Sequence, residues 1–492
     1  MKGLFIGQKA ERRRRFTAAE VTAYRNLSGD IGLRFATDTA QDKAVPGPLI
    51  AGLISDLLGT TLPGRGTNWL KQRYVFHQPA LVDQMLRATV EITRLRPQKA
   101  LVNLAVTIFD PAGELVCSGE SLVLVRDLAA DSKKGVSEVR TVQTLPGIEE
   151  QMISSSRIRT RVLMSGPLDG QPLLFIHGNV SSATWWEETM LTLPHNFRAI
   201  AYDQRGFGAS DPQKKIDARR GLADLADDAL ALIDELGYER VYLTGNSLGG
   251  SVVWWLLRAA PQRFVRAVVV APGSPYGFGG TRDVQGTPYY ADYAGAGAGL
   301  SSNPEVVKLV REGYEGLDNP LGLRTALRTL VYGPPFVPER EMDLLRSSLS
   351  IHVGERDWPG DIEPSPNWPY MAPGRWGIVN ALSPKYAFAS EELTQIQPKP
   401  EILWLRGSND KAVADGAASD VATLGKLGLI PDYPGPEIIP PQPMVSQTRA
   451  VLERYKAAGG QYEEVVLADT GHVPFIQRLD EFNRVFHAFL QK

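Results

Sequence analysis

The stretch that decides the fold is Val241-Tyr242-Leu243-Thr244-Gly245-Asn246-Ser247-Leu248-Gly249-Gly250, followed by the apolar run Val252 to Ala260. Val241 to Thr244 is short, apolar and ends at glycine, as a strand buried on both faces must be. The run after it is long enough for a helix. Between them Gly245-Asn246-Ser247-Leu248-Gly249 has the form G-x-S-x-G, with the serine at the tip of a strand-to-helix turn. Such a turn forces the serine into a strained conformation, and glycine on either side leaves room for it. The hydroxyl is thereby exposed at the carboxyl edge of a sheet, above a helix N-terminus whose dipole favours negative charge.

Working outward, similar runs recur at Leu173 to Ile176, Arg198 to Tyr202, Ala267 to Ala271, Ile402 to Leu405 and Val465 to Leu467. A helix with Leu222, Leu225, Ala229, Leu232 and Leu236 on one face ends at Gly237. Strands alternating with helices predict a mostly parallel sheet with helices on both faces. About 130 residues rich in Gly, Pro and Trp, from Ala271 to Ile402, interrupt the alternation.

A serine hydroxyl is a weak nucleophile and needs a base oriented by an acid. On this type of sheet the chain order is serine, acid, histidine. Three histidines lie downstream of Ser247. His487 falls in an amphipathic terminal helix and His352 in the irregular insertion. His472, in Gly471-His472-Val473-Pro474, directly follows the last strand and is the expected base. Asp410, in Gly407-Ser408-Asn409-Asp410 just past the preceding strand, is the expected acid. Asp415 is a weaker candidate, and Asp469 stands too near His472 to orient its far side. After the first strand, His177-Gly178-Asn179 offers the Asn179 N–H, which with that of Leu248 would bind an oxyanion. His177 itself reads as structural. The stretch Asp203-Gln204-Arg205-Gly206-Phe207-Gly208 lacks phosphate-loop spacing and reads as a turn.

With five motifs in order, residues from about 150 to 490 resemble the α/β-hydrolase superfamily. The motifs are His177-Gly178, Asp203-x-Arg205-Gly206-x-Gly208-x-Ser210, the serine turn, Gly407-x-x-Asp410 and Gly471-His472. The resemblance implies that Ser247 attacks an acyl carbonyl, His472 carries the proton, Asp410 orients it, and water releases the acyl group. His177-Gly178-Asn179 is also similar to haloalkane dehalogenases, whose aspartate nucleophile is replaced here by Ser247. The serine turn is similar to that of carbon–carbon hydrolases acting on ring-cleavage products. In the superfamily's plan the insertion is a cap. Its Trp358, Trp368, Tyr370 and Trp376 are candidates to line an apolar substrate pocket, or equally to pack the cap's own core. A second insertion, Ala412 to Met444, has no readable role.

The first block has a different pattern. Leu86 to Thr93, Leu101 to Ile108 and Leu115 to Val125 alternate as half-buried strands, and Pro48 to Leu58 is an apolar helix, so this part is α+β. Phe16-Thr17-Ala18-Ala19-Glu20-Val21, Leu27-Ser28-Gly29-Asp30, Gly47-Pro48-Leu49-Ile50-Ala51-Gly52 and Leu62-Pro63-Gly64-Arg65-Gly66 resemble the MaoC-like hot-dog family, which includes the (R)-specific enoyl-CoA hydratases. That family hydrates enoyl thioesters with Asp-x-Asn-x-x-His. Asp30 matches, but Gly32 and Phe35 replace the asparagine and histidine, and Ala51 replaces a second family histidine. His77, expected in a strand, is the block's one histidine. The hydratase activity is therefore expected to be lost. What the resemblance still implies is a homodimer interface, a wall of the hydrolase pocket, or a retained thioester groove.

The expected organisation is thus a hot-dog domain (1–127), a polar linker (128–147), a hydrolase core in two parts (148–272 and 401–492), and a cap insertion (273–400). With 492 residues and a net charge of -2, nothing suggests a nucleic-acid partner. Arg12 to Arg15 reads as a solvated edge. A single cysteine, Cys117, rules out an internal disulfide and any cysteine-based zinc site, and no cofactor or metal is expected. The N-terminus lacks the apolar segment of a signal peptide and no run is long enough to span a membrane, so a cytoplasmic protein is expected. The expected activity is hydrolysis of a small carboxylic ester. Acyl-CoA thioester hydrolysis is the nearest alternative, followed by carbon–carbon hydrolysis and a non-catalytic scaffold.

Overall fold

The computed structural model describes residues 4–29, 44–64, 67–125, 142–297 and 302–492. The chain divides into two compact units, Met1–Glu138 and Val139–Lys492. Among the described residues no helix is long and apolar enough to cross a membrane.

In the first unit an antiparallel sheet is built from β1 (Lys9–Arg15), β2 (Thr67–Phe76), β3 (Met85–Arg96), β4 (Leu101–Phe109) and β5 (Leu115–Val125), in the order β1-β3-β4-β5-β2. A short helix α1 (Ala18–Ser28) begins at Thr17, whose hydroxyl and the Glu20 carboxylate satisfy each other's backbone N–H groups. Helix α2 (Gly47–Thr60) buries Ile50, Leu53, Ile54, Leu57 and Leu58. These meet the inward residues of the sheet, Leu86, Ala88, Val90 and Ile92 on β3 and Val102, Leu104, Val106 and Ile108 on β4. The period-two alternation read from the sequence is this buried face.

Two elements here lack the apolar alternation that marks the others. Arg12 to Arg15 belong to edge strand β1, paired with β3, where Arg12 meets Asp56, Arg13 meets Glu11 and Arg14 meets Glu20. Strand β2 is polar and largely exposed, so alternation did not mark it. His77, expected within a strand, lies just beyond β2, with its ring Nε2 2.7 Å from the Ser118 hydroxyl. Asp30, Gly32, Phe35 and much of the polar linker lie outside the described residues.

The second unit is organised on an eight-stranded sheet. Its strands are β6 (Glu149–Ser154), β7 (Arg159–Ser165), β8 (Gln171–Ile176), β9 (Phe197–Tyr202), β10 (Val241–Asn246), β11 (Phe264–Val270), β12 (Glu401–Gly407) and β13 (Tyr462–Leu467). From β9 through β8, β10, β11, β12 to β13 every pairing is parallel, and β7 runs antiparallel to both β9 and β6. The first two strands are short and partly polar and so carry no clear strand signature in the sequence.

Successive residues of the parallel strands enter opposite cores. Leu174, Ile176, Ala267, Val269, Ile402 and Trp404 pack with helices α3 (Ala223–Glu235) and α4 (Leu248–Ala259). Leu173, Phe175, Val268, Val270, Leu403 and Leu405 pack on the other face with Phe482, Phe486 and Phe489 of the terminal helix α5 (Leu479–Leu490). A strand covered on both sides reads as an unbroken apolar run, which is why these strands were legible. The parallel arrangement sends β8, β9, β10, β12 and β13 out at one edge of the sheet, and the loops that follow them carry the five motifs of this unit.

Candidate active site

The turn after β10 has the geometry its glycines predict. Ser247 adopts φ 54° and ψ -117°, a conformation rare for any residue with a side chain. It is held there by its N–H to the Val270 carbonyl (2.9 Å) and by its own carbonyl, which accepts from Ser251 (3.0 Å) in the first turn of α4. Two glycines make this possible. A Cβ on Gly245 would lie 2.3 Å from the Gly249 oxygen, and one on Gly249 would lie 2.1 Å from the Ile176 oxygen. The elbow is therefore pressed against the end of β8. There Gly178 approaches so closely that its own Cβ would be 3.3 Å from that of Ser247.

Leu248 is the first residue of α4, so its N–H is one of the unpaired donors at a helix start. Asn179 lies one residue past Gly178 and uses its side-chain oxygen to accept from Val180 N–H (3.0 Å). His177 anchors this loop. Its Nε2 accepts from the Gln204 N–H (3.0 Å), so the ring proton sits on Nδ1 and is donated to the Gly178 carbonyl (2.8 Å). The ring is fully buried, and that desolvation pushes its pKa down to about 4. A neutral ring with both nitrogens occupied is a structural pin. The Asp203 turn is a second one: the carboxylate accepts from Ala183 N–H, Ala209 N–H and the Arg161 guanidinium.

His472 follows β13 and is buried, as is Asp410 in the loop after β12. The His472 Nδ1 lies 2.8 Å from Asp410 Oδ2. The other carboxylate oxygen accepts from the N–H groups of Ala412 (2.8 Å) and Val413 (2.9 Å), which fix the carboxyl group's orientation toward the ring. An acceptor at Nδ1 places the neutral ring's proton there and leaves Nε2 with its lone pair, the state a general base needs. The remaining candidates are engaged elsewhere. Asp415 accepts from Val445 and Ser446 at the start of a helix, Asp469 is exposed, and His352 packs on the Gly206–Gly208 turn.

The four aromatic residues are not gathered into one pocket. Trp358 is buried in the core cluster of α3 and α4. Trp368 packs with Tyr289, Val421 and Ile439 in a separate small cluster. Tyr370 is 54% exposed, and Trp376 carries the Arg356 guanidinium 3.7 Å over its ring. Trp358 and Trp368 are thus packed into separate cores, Trp376 is covered by a cation, and Tyr370 faces solvent. Asn246, which sequence reasoning passed over as the variable position of the motif, is buried at the centre of the site, with its amide directed to the carbonyls of Val270 (3.1 Å) and His472 (3.3 Å).

Comparison with known proteins agrees with this architecture. Residues 171–293 match the family model described as alpha/beta hydrolase fold. The first block is 41% identical over 128 residues to the (R)-specific enoyl-CoA hydratase of Aeromonas caviae, covering 25% of this chain and 96% of that protein. The first block belongs to the family of these hydratases, and the second unit has the α/β-hydrolase fold. This hot-dog–hydrolase fusion is also 35% identical over 120 residues to carboxylesterase YbfK of Bacillus subtilis. That match covers 24% of the fusion and 39% of the carboxylesterase, so the sequence likeness spans well under half of that relative. The solved structure of the same carboxylesterase aligns with 74% of the fusion and 99% of its own chain, at 18% identity and a TM-score of 0.46.

Proposed function

We propose that the fusion is a serine hydrolase of carboxylic esters, working through an acyl-enzyme on Ser247. The observation that carries this reading is the His472–Asp410 contact of 2.8 Å, made between loops at the same sheet edge as the strained Ser247. In the reaction His472 Nε2 takes the Ser247 proton as Oγ attacks the acyl carbonyl. The N–H groups of Asn179 and Leu248 receive the developing oxyanion. His472 then protonates the leaving alkoxide. Water, deprotonated by the same nitrogen, attacks the acyl-enzyme and releases the acid. Asp410 keeps the ring in the required tautomer throughout. Residues 273–400 serve as the cap over this edge, and the hot-dog block serves to pair two copies of the chain. The similarity to a carboxylesterase supports the ester as substrate class.

A second reading, acyl-CoA thioester hydrolysis, is favoured by the hydratase-like first block, whose relative is named for an enoyl-CoA substrate. Carbon–carbon hydrolysis draws on 34% identity over 131 residues to a 2-hydroxymuconate semialdehyde hydrolase from Pseudomonas. A fluorophosphonate probe is expected to label Ser247 in the wild type and nothing in Ser247→Ala. Absence of labelling would sink the serine-hydrolase reading. Turnover of p-nitrophenyl esters measured against acyl-CoAs then separates the first two substrate classes.

A further inference from the structure

The loop around His472 is tied down by Asn409, Ser408 and Gln477, and His472 itself is gripped at three further points, one of which has no assigned role. The imidazole is held by Asp410, and the His472 N–H donates to the Val331 carbonyl (2.9 Å) in the segment preceding Tyr332. The third grip is the Asn246 amide, which donates to the His472 carbonyl (3.3 Å) and to the Val270 carbonyl (3.1 Å). Asn246 is the last residue of β10, paired in register with Val270, and is 4% exposed. Its Oδ1 faces the other side of the site, because a Cβ on Gly178 would come within 3.1 Å of it. Of the three grips, this is the one made by a residue covalently joined to Ser247.

We infer that Asn246 is a positioning residue that sets His472 against Ser247, by tying the histidine loop to the serine turn through one side-chain amide. The inference rests on the serine-hydrolase reading for its kinetic consequence, though not for its structural one. A side chain with no donor would leave two buried carbonyls without it, and a carboxylate would repel both. With that tie gone, Ser247 keeps its strained backbone and His472 keeps Asp410 and Val331, but the side-chain bond joining the histidine loop to the serine turn is lost, and with it a constraint on the separation of their reacting atoms. A misplacement of about 1 Å in such a pair costs roughly 100-fold in rate. Substrate binding makes no use of the buried amide, so the loss belongs in kcat.

The test uses the full chain carrying Asn246→Ala and, as an isosteric variant without the donor, Asn246→Asp, each first checked for wild-type thermal unfolding. Asn246→Ser replaces any variant that does not fold. With a p-nitrophenyl ester, kcat is expected to fall roughly 10- to 100-fold with KM within about twofold, and the fluorophosphonate labelling rate to fall in parallel. Alongside, the imidazole Hε1 signal of His472, assigned with His472→Gln, is followed by NMR and is expected to move in the variants. Rates within about twofold of wild type together with an unmoved His472 signal would overturn the inference, as would a loss confined to KM. If the wild type neither turns over ester nor labels at Ser247, the hydrolase reading fails by itself. The His472 signal then decides this inference: displacement supports the tie and an unmoved signal refutes it.

Discussion

Asp410 and His472 are 62 residues apart in the chain and 2.8 Å apart in space, with two backbone N–H groups bracing the carboxylate from behind. Asp410→Asn keeps the shape but offers the ring a donor, which favours the wrong tautomer. We expect kcat to fall roughly 10³- to 10⁴-fold with thermal stability little changed, measured as steady-state turnover beside a melting curve. Gly249→Ala tests the elbow differently. The added methyl would sit 2.1 Å from the Ile176 oxygen, so the turn must shift, and a loss of about 1–3 kcal/mol in urea unfolding is expected. His177 adds a pH dependence. Its folded pKa of about 4 lies below the unfolded value of 6.5, so as pH falls through that window the unfolded chain takes up a proton that the folded chain refuses. Stability is therefore expected to be full above about pH 6.5 and to drop by roughly 3 kcal/mol by pH 4 from this residue. Eight of the nine tryptophans lie beyond residue 138, so the urea midpoint by fluorescence reads the second unit, and a midpoint independent of pH would contradict the assignment.

At the scale of elements, the central parallel strands were legible because both of their faces are buried, so their middles read as apolar runs. Edge strand β13 is half exposed, carries Glu463 and Glu464, and is marked only by Val465 to Leu467. Strands β1, β2, β6 and β7 were not legible, since edge or antiparallel strands with an exposed face carry Arg, Lys, Glu and Gln. The insertion at 412–444 had no readable role in the sequence, and the structure shows how it is anchored. Gln442 is fully buried; its side-chain oxygen accepts from Gly279 N–H (2.6 Å), and its amide donates to the Gly277 carbonyl (3.0 Å) and to Gln447 (2.9 Å). Its backbone carbonyl accepts from Gly416 in the loop that continues from Asp410 (3.2 Å). Gln442 thus ties the start of the insertion, at Gly416, to residues 277–279. Gln442→Leu fills the same space but strands these groups, and a loss of about 1–3 kcal/mol for each buried group left unpaired is expected in chemical denaturation.

For the whole molecule the question is what the joined families do together. The hydratase relative matches the first block almost end to end, yet Ala51 stands in helix α2 where the family resemblance calls for a histidine, and His77 is exposed and bonded to Ser118. Purified protein is therefore expected not to hydrate crotonyl-CoA, followed as loss of absorbance of the conjugated thioester. Measurable hydration would restore catalysis to the first block. All ester and thioester cleavage is expected to vanish together in Ser247→Ala. The proposed pairing predicts a light-scattering mass of twice 53.9 kDa.

The sequence by itself determined the two families, the serine turn, and the order serine, acid, histidine, because tight turns and buried strands impose local residue requirements that survive as motifs. It also singled out Asp410 and His472 by their places after the last two strands. It could not place the four aromatic residues of the insertion, since an aromatic side chain packed in a core, covered by a cation or left in solvent looks the same in one dimension. Nor could it show that Asn246 reaches His472 across 226 residues, for a hydrogen bond between distant segments has no local signature. Contacts of that range exist only once the sheet has brought its loops to one edge.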